Sequence, residues 1–518
     1  MDYFGNMFLN PTPAAFFPTL IILYLFVFFI YYIKAIQPKQ GTSEWIQARV
    51  NKTGLTFLSR RFPFEKSDIL PFIGIMLVFL FLAVYNLGNT TTLNIINEIQ
   101  SPAVERTHMD NIYFDEVYFV RTAAEHIHSI NPLEISHPPL GKLIISASIL
   151  LFGESPFGWR LLGAVSGVIM LAIMYIFIKN TFGRTLVAAC GTLLLGFDFM
   201  RFVQTRIGTI DTFVVLFILL AFFFMYRHIT TDCDAPFRKS LAPLALSGIF
   251  FGLACMVKWI GFYAGAGLLL IYVIRLFQLG FHYMSTEKPG YGKYLSKTLF
   301  FSLLFFVIIP AAFYYLSYIP LGLARGMTLG GGMLWDTEFF EIVRSNQLYM
   351  FRYHSRLVAE HPFSSVWWQW ILNIRPILYV NGAMGNMRAT FGAFGNPVVW
   401  WGGILAMLVM AVRVFTHRDG KALFILIGYL SQLLPWVAVT RIVFAYHYFP
   451  STLFIVLALA HIFNTLIEKQ ENSGKLAVYG YTTVSGTIFA IFYPSLSGMY
   501  MPYWYYSNIV RWFSTWPF

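Results

Sequence analysis

Long apolar stretches alternate with short polar segments along almost the whole chain. About twelve stretches approach the roughly 20 residues that a helix needs to cross a bilayer. They lie near residues 16–34, 69–87, 160–178, 185–199, 211–226, 241–257, 260–276, 298–319, 397–414, 422–439, 446–466 and 476–493. The pattern predicts an all-α polytopic membrane protein in which two long loops, 88–159 and 320–396, separate groups of spans.

Composition and charge agree with this class and orient the helices. Of the 518 residues, 57% are hydrophobic and 12% are charged, which excludes an ordinary soluble domain. The formal net charge is +12. Alternate connections hold 21 of the 36 Lys and Arg residues and 9 of the 24 Asp and Glu residues, so they carry the entire excess. These connections are Lys34 with 35–68, 179–184, 227–240, 275–297, 413–421 and 468–475.

The positive-inside bias places these basic connections in the cytoplasm and both long loops outside. The positive charge therefore serves orientation, and we expect no nucleic-acid partner. The chain divides into four parts. They are a first helix with a basic loop (1–68), a core that contains the first outer loop (69–319), the second outer loop (320–396), and C-terminal helices with an outer tail (397–518).

An acidic pair in the first outer loop is the first candidate for chemistry. Asp115 and Glu116 precede an amphipathic stretch that predicts a helix to Ile130, and residues 140–153 predict a second helix lying in the interface. One carboxylate could act as a general base while the other positions an acceptor. The alternative is a simple helix cap at Asp115.

A proline-rich turn in the same loop is the second candidate. In the sequence His137-Pro-Pro-Leu-Gly-Lys142, the two prolines enforce an extended approach and the glycine allows a turn into the next helix. Such a turn would hold His137 and Lys142 at the membrane surface, where a helix start and a cation could bind a phosphate. The alternative is a proline-initiated helix with a lysine that reaches the interface.

Further charged and aromatic residues lie where other predicted helices reach the outer face. They include Asp198, Arg201, Gln204, Arg206, Asp211, Lys258, Arg441 and the segment Tyr446-His447-Tyr448, and in the second outer loop Arg352 and His354. Arginines at such junctions often contact lipid headgroups, and aromatic residues often form an interfacial belt. A cluster of ionisable residues at one junction nevertheless indicates a functional site. No Asp, Glu, His or Cys set has the spacing of metal ligands.

Several of these segments, in this order, resemble the protein O-mannosyltransferase family, which belongs to the GT-C class of polytopic glycosyltransferases. The resemblance covers roughly residues 69–470 and rests on seven segments. They are Phe114-Asp115-Glu116, His137 to Lys142, Gln204-Thr-Arg206 with Asp211, Val257-Lys258-Trp259, Tyr349 to His354, His361 to Trp370, and Arg441 to Pro450. Two departures stand out. The second outer loop has no room for the β-trefoil of eukaryotic members, which favours a bacterial type. The helix at 16–34 with its basic loop looks additional, and its two open roles are contact with an unknown membrane partner and anchoring of the N-terminus.

The resemblance implies transfer of mannose, or a related hexose, from a polyprenyl-phosphate donor to Ser or Thr hydroxyls of exported proteins. It implies inversion at the sugar carbon, no required cofactor or metal, and an active site on the outer face of a bacterial plasma membrane. Asp115 would be the base and Glu116 would position the acceptor. His137, Lys142, Arg206 and Arg441 would bind the donor phosphate. Residues with possible binding or structural roles are Arg160, Asp211, Lys258, Arg352, His354 and His447.

Two other functions remain open from the sequence. A GT-C transferase could place its sugar on a lipid or a cell-wall polymer instead of a protein. A transporter is disfavoured, since transporters usually carry ionisable residues near the midplane and often show inverted repeats.

Overall fold

The computed structural model describes residues 16–36, 61–92, 95–98, 108–330 and 332–518. It is a bundle of helices with a small sheet at one end. The helices are α1 (Phe16–Ile36), α2 (Lys66–Val84), α3 (Ile95–Glu98), α4 (Glu116–Ile127), α5 (Leu140–Phe152), α6 (Pro156–Phe182), α7 (Thr185–Gly196), α8 (Phe199–Gln204), α9 (Asp211–Ile229), α10 (Phe237–Val257), α11 (Gly261–Ser285), α12 (Tyr291–Leu303), α13 (Ile309–Leu316), α14 (Ile319–Ala324), α15 (Thr337–Arg356), α16 (Trp367–Ile371), α17 (Pro397–His417), α18 (Gly420–Leu433), α19 (Phe449–Lys469), α20 (Glu471–Ser497) and α21 (Tyr503–Tyr505).

Eleven helical stretches within the described ranges are long and apolar enough to cross a membrane. Eleven of the twelve predicted spans match them. The twelfth prediction, 185–199, falls on α7, which has 12 residues and ends at Gly196 before α8 begins. A π-helical turn at Leu304–Ile308 joins α12 to α13, so that the helical path continues from Tyr291 to Ala324.

Helix α19 forms the centre of the bundle, since every residue from Phe449 to Ile467 is buried. It packs against α17, α18, α20 and α7. A helix that is apolar on all sides can be buried in this way as well as face lipid. Its position explains why its apolar pattern is continuous instead of amphipathic.

A three-stranded antiparallel sheet was not predicted and modifies the all-α expectation. Strands β1 (Ile377–Met384) and β2 (Met387–Ala393) form a hairpin, and β3 (Tyr500–Pro502) pairs with β2. Gly385 and Asn386 make the two-residue turn, where Gly385 has a φ of 56°. A Gly-Asn pair between two short runs is a recognised hairpin signal.

The additional N-terminal helix is part of the bundle. Helix α1 packs against α17 and α19, and the Tyr31 hydroxyl donates to Gln470 Oε1 at 3.0 Å. The Phe28 ring lies 4.6 Å from that of Tyr481 in α20. The basic loop that follows α1 falls largely outside the described residues, so a membrane partner of residues 16–68 stays a prediction.

Candidate active site

Asp115 lies at one end of the bundle, directly before α4. The preceding residue, Phe114, has a φ of 51°, a left-handed conformation that non-glycine residues rarely adopt outside functional sites. The Asp115 side chain is half-buried and makes no capping hydrogen bond to α4, which ends at Ile127 and not at Ile130. The cap alternative is therefore not observed.

The electrostatic surroundings of Asp115 suit a general base. Burial and the negative charge of Asp211 raise the pKa of the Asp115 carboxyl to about 7, against the opposing effect of Lys258. Among the described residues, no hydrogen bond to its side chain is formed. A carboxylate with a pKa near neutrality and free oxygens can accept a proton from a substrate hydroxyl.

Glu116, by contrast, is fully buried and has protein partners on both oxygens. Arg160 Nε and Nη2 donate to its two oxygens at 2.7 and 2.8 Å. Gly208 N and Trp159 Nε1 donate to Oε1 at 2.7 and 3.2 Å. These contacts favour an anchoring role, which ties α4 to α6 and to the segment before α9, over the predicted contact with an acceptor.

Arg160 has more partners than Glu116 alone. Its guanidinium also donates to the backbone carbonyls of Leu87, Met109 and Asn111. It therefore joins α6 to both the start and the middle of the first long loop. Arg160 thereby holds Glu116, and with it the start of α4, next to Asp115.

The proline-rich turn is built around Glu134, a residue that the sequence interpretation did not single out. Lys142 Nζ donates to Glu134 Oε2 at 2.7 Å and to the Glu134 and His137 carbonyl oxygens at 2.9 and 2.8 Å. His137 Nδ1 lies 3.0 Å from Glu134 Oε1. Burial alone would raise the pKa of the Glu134 carboxyl. The neighbouring Lys142 and His137 outweigh this effect and hold the pKa of Glu134 well below its usual value.

Lys142 and His137, the two predicted phosphate ligands of this turn, differ in burial and in hydrogen bonding. Lys142 is buried, and its ammonium already has three acceptors, so it is suited to holding the turn. The side chain of His137 keeps 15% of its surface exposed. Its ring centre lies 5.2 Å from that of His354 in α15. His137 is therefore the member of the pair that can face a ligand.

Lys258 and Asp211, predicted from different segments, form an ion pair. Lys258 Nζ donates to Asp211 Oδ1 at 2.9 Å, and Thr209 Oγ1 donates to Oδ2 at 3.2 Å. The Lys258 ammonium also lies 5.1 Å from the centre of the Tyr446 ring. The end of α10 and the start of α9 thereby place a cation and an anion beside Asp115.

The second long loop contributes α15, whose hydrogen bonds connect two parts of the site. His354 Nε2 donates to the Ser136 carbonyl at 2.8 Å. A separate chain of hydrogen bonds of 2.7 to 3.2 Å runs from the neighbour of Lys258 to the proline-rich turn. Its members in order are Trp259, Tyr314, Gln347, Tyr318, Asn346 and the Ile135 carbonyl.

Arg441 is the cation of the site that has no acidic partner among the described residues. It is half-buried, and its Nη1 donates to the Ile442 carbonyl at 3.0 Å. Burial, the neighbouring His137 ring and the positive charge of Arg441 lower the pKa of His354 to about 4, so that His354 is neutral at pH 7. His447 lies nearby, with Nδ1 3.0 Å from the Phe444 carbonyl and its ring 4.3 Å from that of Trp436.

Arg206 and Arg352, two further predicted site residues, form no hydrogen bond or ion pair, in the described part of the chain, with the groups around Asp115 described above. Arg206 is buried and donates to the backbone carbonyls of Ala83, Tyr85, Asn86 and Leu496. It thus joins the ends of α2 and α20, and these contacts favour a structural role over phosphate binding. Arg352 is exposed on α15 and makes no ion pair among the described residues.

Two segments of the chain match known protein families. Residues 136–289 match the family described as dolichyl-phosphate-mannose-protein mannosyltransferase. Residues 339–516 match the C-terminal four TMM region of protein-O-mannosyltransferase. Together the two segments span more than half of the chain. The chain belongs to the protein O-mannosyltransferase family.

Curated members of this family include bacterial proteins named polyprenol-phosphate-mannose–protein mannosyltransferase. The one from Mycolicibacterium smegmatis (strain ATCC 700084 / mc(2)155) is 27% identical over 440 residues, which is 74% of this chain and 84% of that protein. The one from Corynebacterium glutamicum is 25% identical over 467 residues, or 78% and 88% of the two chains.

Solved structures confirm the predicted GT-C fold of this family member. The S. cerevisiae protein O-mannosyltransferase Pmt1-Pmt2 complex bound to the sugar donor matches with a TM-score of 0.73 and 14% identity, over 89% of this chain and 94% of that one. ArnT from Cupriavidus metallidurans in the apo state matches with a TM-score of 0.51 and 13% identity, over 86% and 77%.

Proposed function

We propose that this protein transfers mannose, or a related hexose, from a polyprenyl-phosphate carrier to Ser or Thr hydroxyls of exported proteins. Family membership and the names of the bacterial relatives support the donor and the protein acceptor. The observation that carries the mechanism is the half-buried Asp115 carboxyl, which has no hydrogen bond within the described residues and a pKa raised to about 7 by burial and by the neighbouring charge of Asp211.

In the proposed reaction, Asp115 accepts the proton of the acceptor hydroxyl while the hydroxyl oxygen attacks the sugar carbon. The bond between that carbon and the phosphate oxygen breaks, and the electron pair leaves with the phosphate. Attack opposite to the leaving group inverts the configuration. A hydrolase of glycosides needs a second carboxyl to protonate its leaving group, whereas a lipid phosphate leaves as a stabilised anion.

In this proposal the phosphate binds to two positive groups near Asp115, Arg441 and Lys258, and lies beside the His137 ring, whose pKa is lowered by burial. Arg441 has no acidic partner in the described part of the chain, Lys258 shares its charge with Asp211, and His137 lies on a turn fixed by Lys142. Guanidinium and ammonium groups stabilise the charge that develops on a departing phosphate. The step therefore calls for no metal ion or organic cofactor.

The charge distribution supports an active site on the outer face of a bacterial plasma membrane. The ion pairs of Lys179 with Glu65 and of Arg413 with Asp419 lie in connections of the basic set. Asp115, His137, Lys258 and Arg441 lie in the other set. The positive-inside bias places the basic set in the cytoplasm.

The direct test supplies membranes containing this protein with polyprenyl-phosphate mannose that is labelled in the sugar. We expect label in protein, released by β-elimination as expected for a Ser or Thr linkage. Label in lipid or polymer alone would instead support the alternative GT-C transferase. Membranes lacking the protein, but otherwise matched, are the control.

A further inference from the structure

Three rings from separate parts of the chain surround Phe114, the residue before Asp115. The ring centre of Phe114 lies 4.4 Å from that of Tyr379, 6.0 Å from that of His361 and 6.5 Å from that of Phe444. His361 and Phe444 are themselves 5.0 Å apart. We call these four residues the aromatic group.

Tyr379 reaches this group through an irregularity in β1. Leu378 pairs with Gly392 and Val380 pairs with Phe391, so Tyr379 has no partner in β2. Such a bulge redirects a side chain and is common beside active sites. Burial and the negative charges of Asp115 and Asp211 raise the pKa of Tyr379 well above its usual value, so its hydroxyl stays protonated.

The aromatic group presents an apolar and uncharged surface. Phe114, His361 and Phe444 are each half-exposed, whereas Tyr379 is buried. Burial lowers the pKa of His361, so its ring is neutral at pH 7. The cations assigned to the phosphate are other residues, Lys258 and Arg441. A partly open aromatic surface beside a catalytic acid is suited to an apolar ligand group.

The spacing of residues in an acceptor polypeptide indicates which part of the acceptor reaches the aromatic group. Consecutive Cα atoms of a polypeptide are 3.8 Å apart. When a Ser or Thr hydroxyl of an acceptor contacts Asp115, the next acceptor residue must therefore lie within a few ångströms of the groups that flank Asp115. Phe114 is the immediate neighbour of Asp115, and the other three rings lie around it.

We propose that the aromatic group is an acceptor subsite that takes an apolar side chain adjacent to the modified Ser or Thr. This inference rests on the proposed function. It gives the enzyme a preference among hydroxyl-containing sequences. An acidic neighbour would lose hydration against the Phe114 and Phe444 rings and would face only the neutral imidazole of His361, which disfavours it.

The test is a competition between two peptides with the full-length enzyme and polyprenyl-phosphate mannose. The peptides differ only in the residue beside a single Thr, Val in one and Asp in the other. We expect the wild-type enzyme to favour the Val peptide by about tenfold in kcat/KM, in the range that small apolar contacts supply. The ratio does not depend on the amount of active enzyme, so poor folding of a variant does not obscure it.

Three variants within the aromatic group and one control variant complete the experiment. Phe444→Ala and His361→Ala should reduce the ratio toward one, and Phe444→Leu should recover part of it. Phe340→Ala is the matched control, because Phe340 is 56% exposed on α15 and lies outside the aromatic group. Equal transfer to both peptides by the wild type, or an unchanged ratio in both alanine variants, would overturn the inference.

Two further outcomes distinguish failure of the acceptor-subsite inference from failure of the proposed function. A change in KM for the donor alone, with an unchanged peptide ratio, would mean that the rings contact the sugar and not the acceptor, which contradicts the inference. Absence of transfer to every peptide and every membrane protein would instead refute the proposed function, and the inference with it.

Discussion

The adjacent carboxylates Asp115 and Glu116 should respond in opposite ways to loss of their charge. Glu116 is fully buried and accepts from Arg160 at 2.7 and 2.8 Å, from Gly208 N at 2.7 Å and from Trp159 at 3.2 Å. Glu116→Ala leaves a buried guanidinium without its counter-ion. Removing one partner of such a pair typically costs about 3–5 kcal/mol.

Asp115→Asn should behave differently. The Asp115 side chain has no hydrogen-bond partner among the described residues, and its pKa is raised to about 7. An aspartate with a raised pKa opposes folding when it is ionised, so at pH 8 the amide should leave stability unchanged or increase it. Transfer activity, however, should be lost, because the amide cannot accept the acceptor proton.

Thermal unfolding of the purified proteins in detergent, followed by tryptophan fluorescence at pH 8, measures both effects. We expect Glu116→Ala to unfold at a clearly lower temperature than the wild type and Asp115→Asn to unfold at the same or a higher one. If Glu116→Ala were as stable as the wild type while Asp115→Asn were destabilised, the assignment of the anchor and the base would be reversed.

Three further outcomes follow from the site. If Asp115 is the base, kcat/KM should rise with pH through about 7. Lys258→Met removes a positive charge and should move this limb to higher pH, while movement to lower pH would contradict the assignment. Arg441→Gln should raise KM for the donor by about tenfold or more, the loss of one charge-assisted hydrogen bond, whereas the exposed Arg356→Gln should not. Gln347→Ala interrupts the hydrogen-bond chain to the proline-rich turn and should cost about 1–3 kcal/mol of thermal stability, measured by the same unfolding assay.

The membrane-spanning helices could be predicted because a bilayer requires long apolar segments, which are recognisable in the amino-acid sequence. Helix α7 was the exception among the predicted spans. Its apolar stretch is continuous with α8 in sequence, but the backbone changes direction around Asp198, whose side chain accepts from Arg201 N. A side-chain N-cap inside an apolar run begins a new helix there, so the run does not form a single span.

The site was predicted in part because its residue types and outer positions are visible in the sequence, whereas their pairings are not. Asp211 and Lys258 are 47 positions apart and meet in an ion pair. Glu134 stands eight positions before Lys142, in a loop rich in acids, and no periodicity marks it as the partner. Arg206 could not be told from a phosphate ligand, because only the fold shows that carbonyls at the ends of two distant helices surround it.

Tyr379 and the sheet illustrate a different limit. The Gly-Asn pair is a hairpin signal that our interpretation of the sequence missed, and a bulge depends on the register between two strands, which a single sequence does not show. The ring contact between Tyr379 and Phe114 brings residues from the two long loops together. Contacts of this kind form the proposed acceptor subsite, which was therefore the least predictable part of the site.

The central claim is that Asp115 is the base that activates the acceptor. The measurement that tests it most directly is single-turnover transfer of labelled mannose from polyprenyl-phosphate mannose to a Thr peptide, with saturating substrates and matched amounts of folded enzyme. We predict that Asp115→Asn lowers the rate by at least about a hundredfold, in the range of general-base catalysis, and that donor binding persists. A rate near that of the wild type in Asp115→Asn would contradict the account.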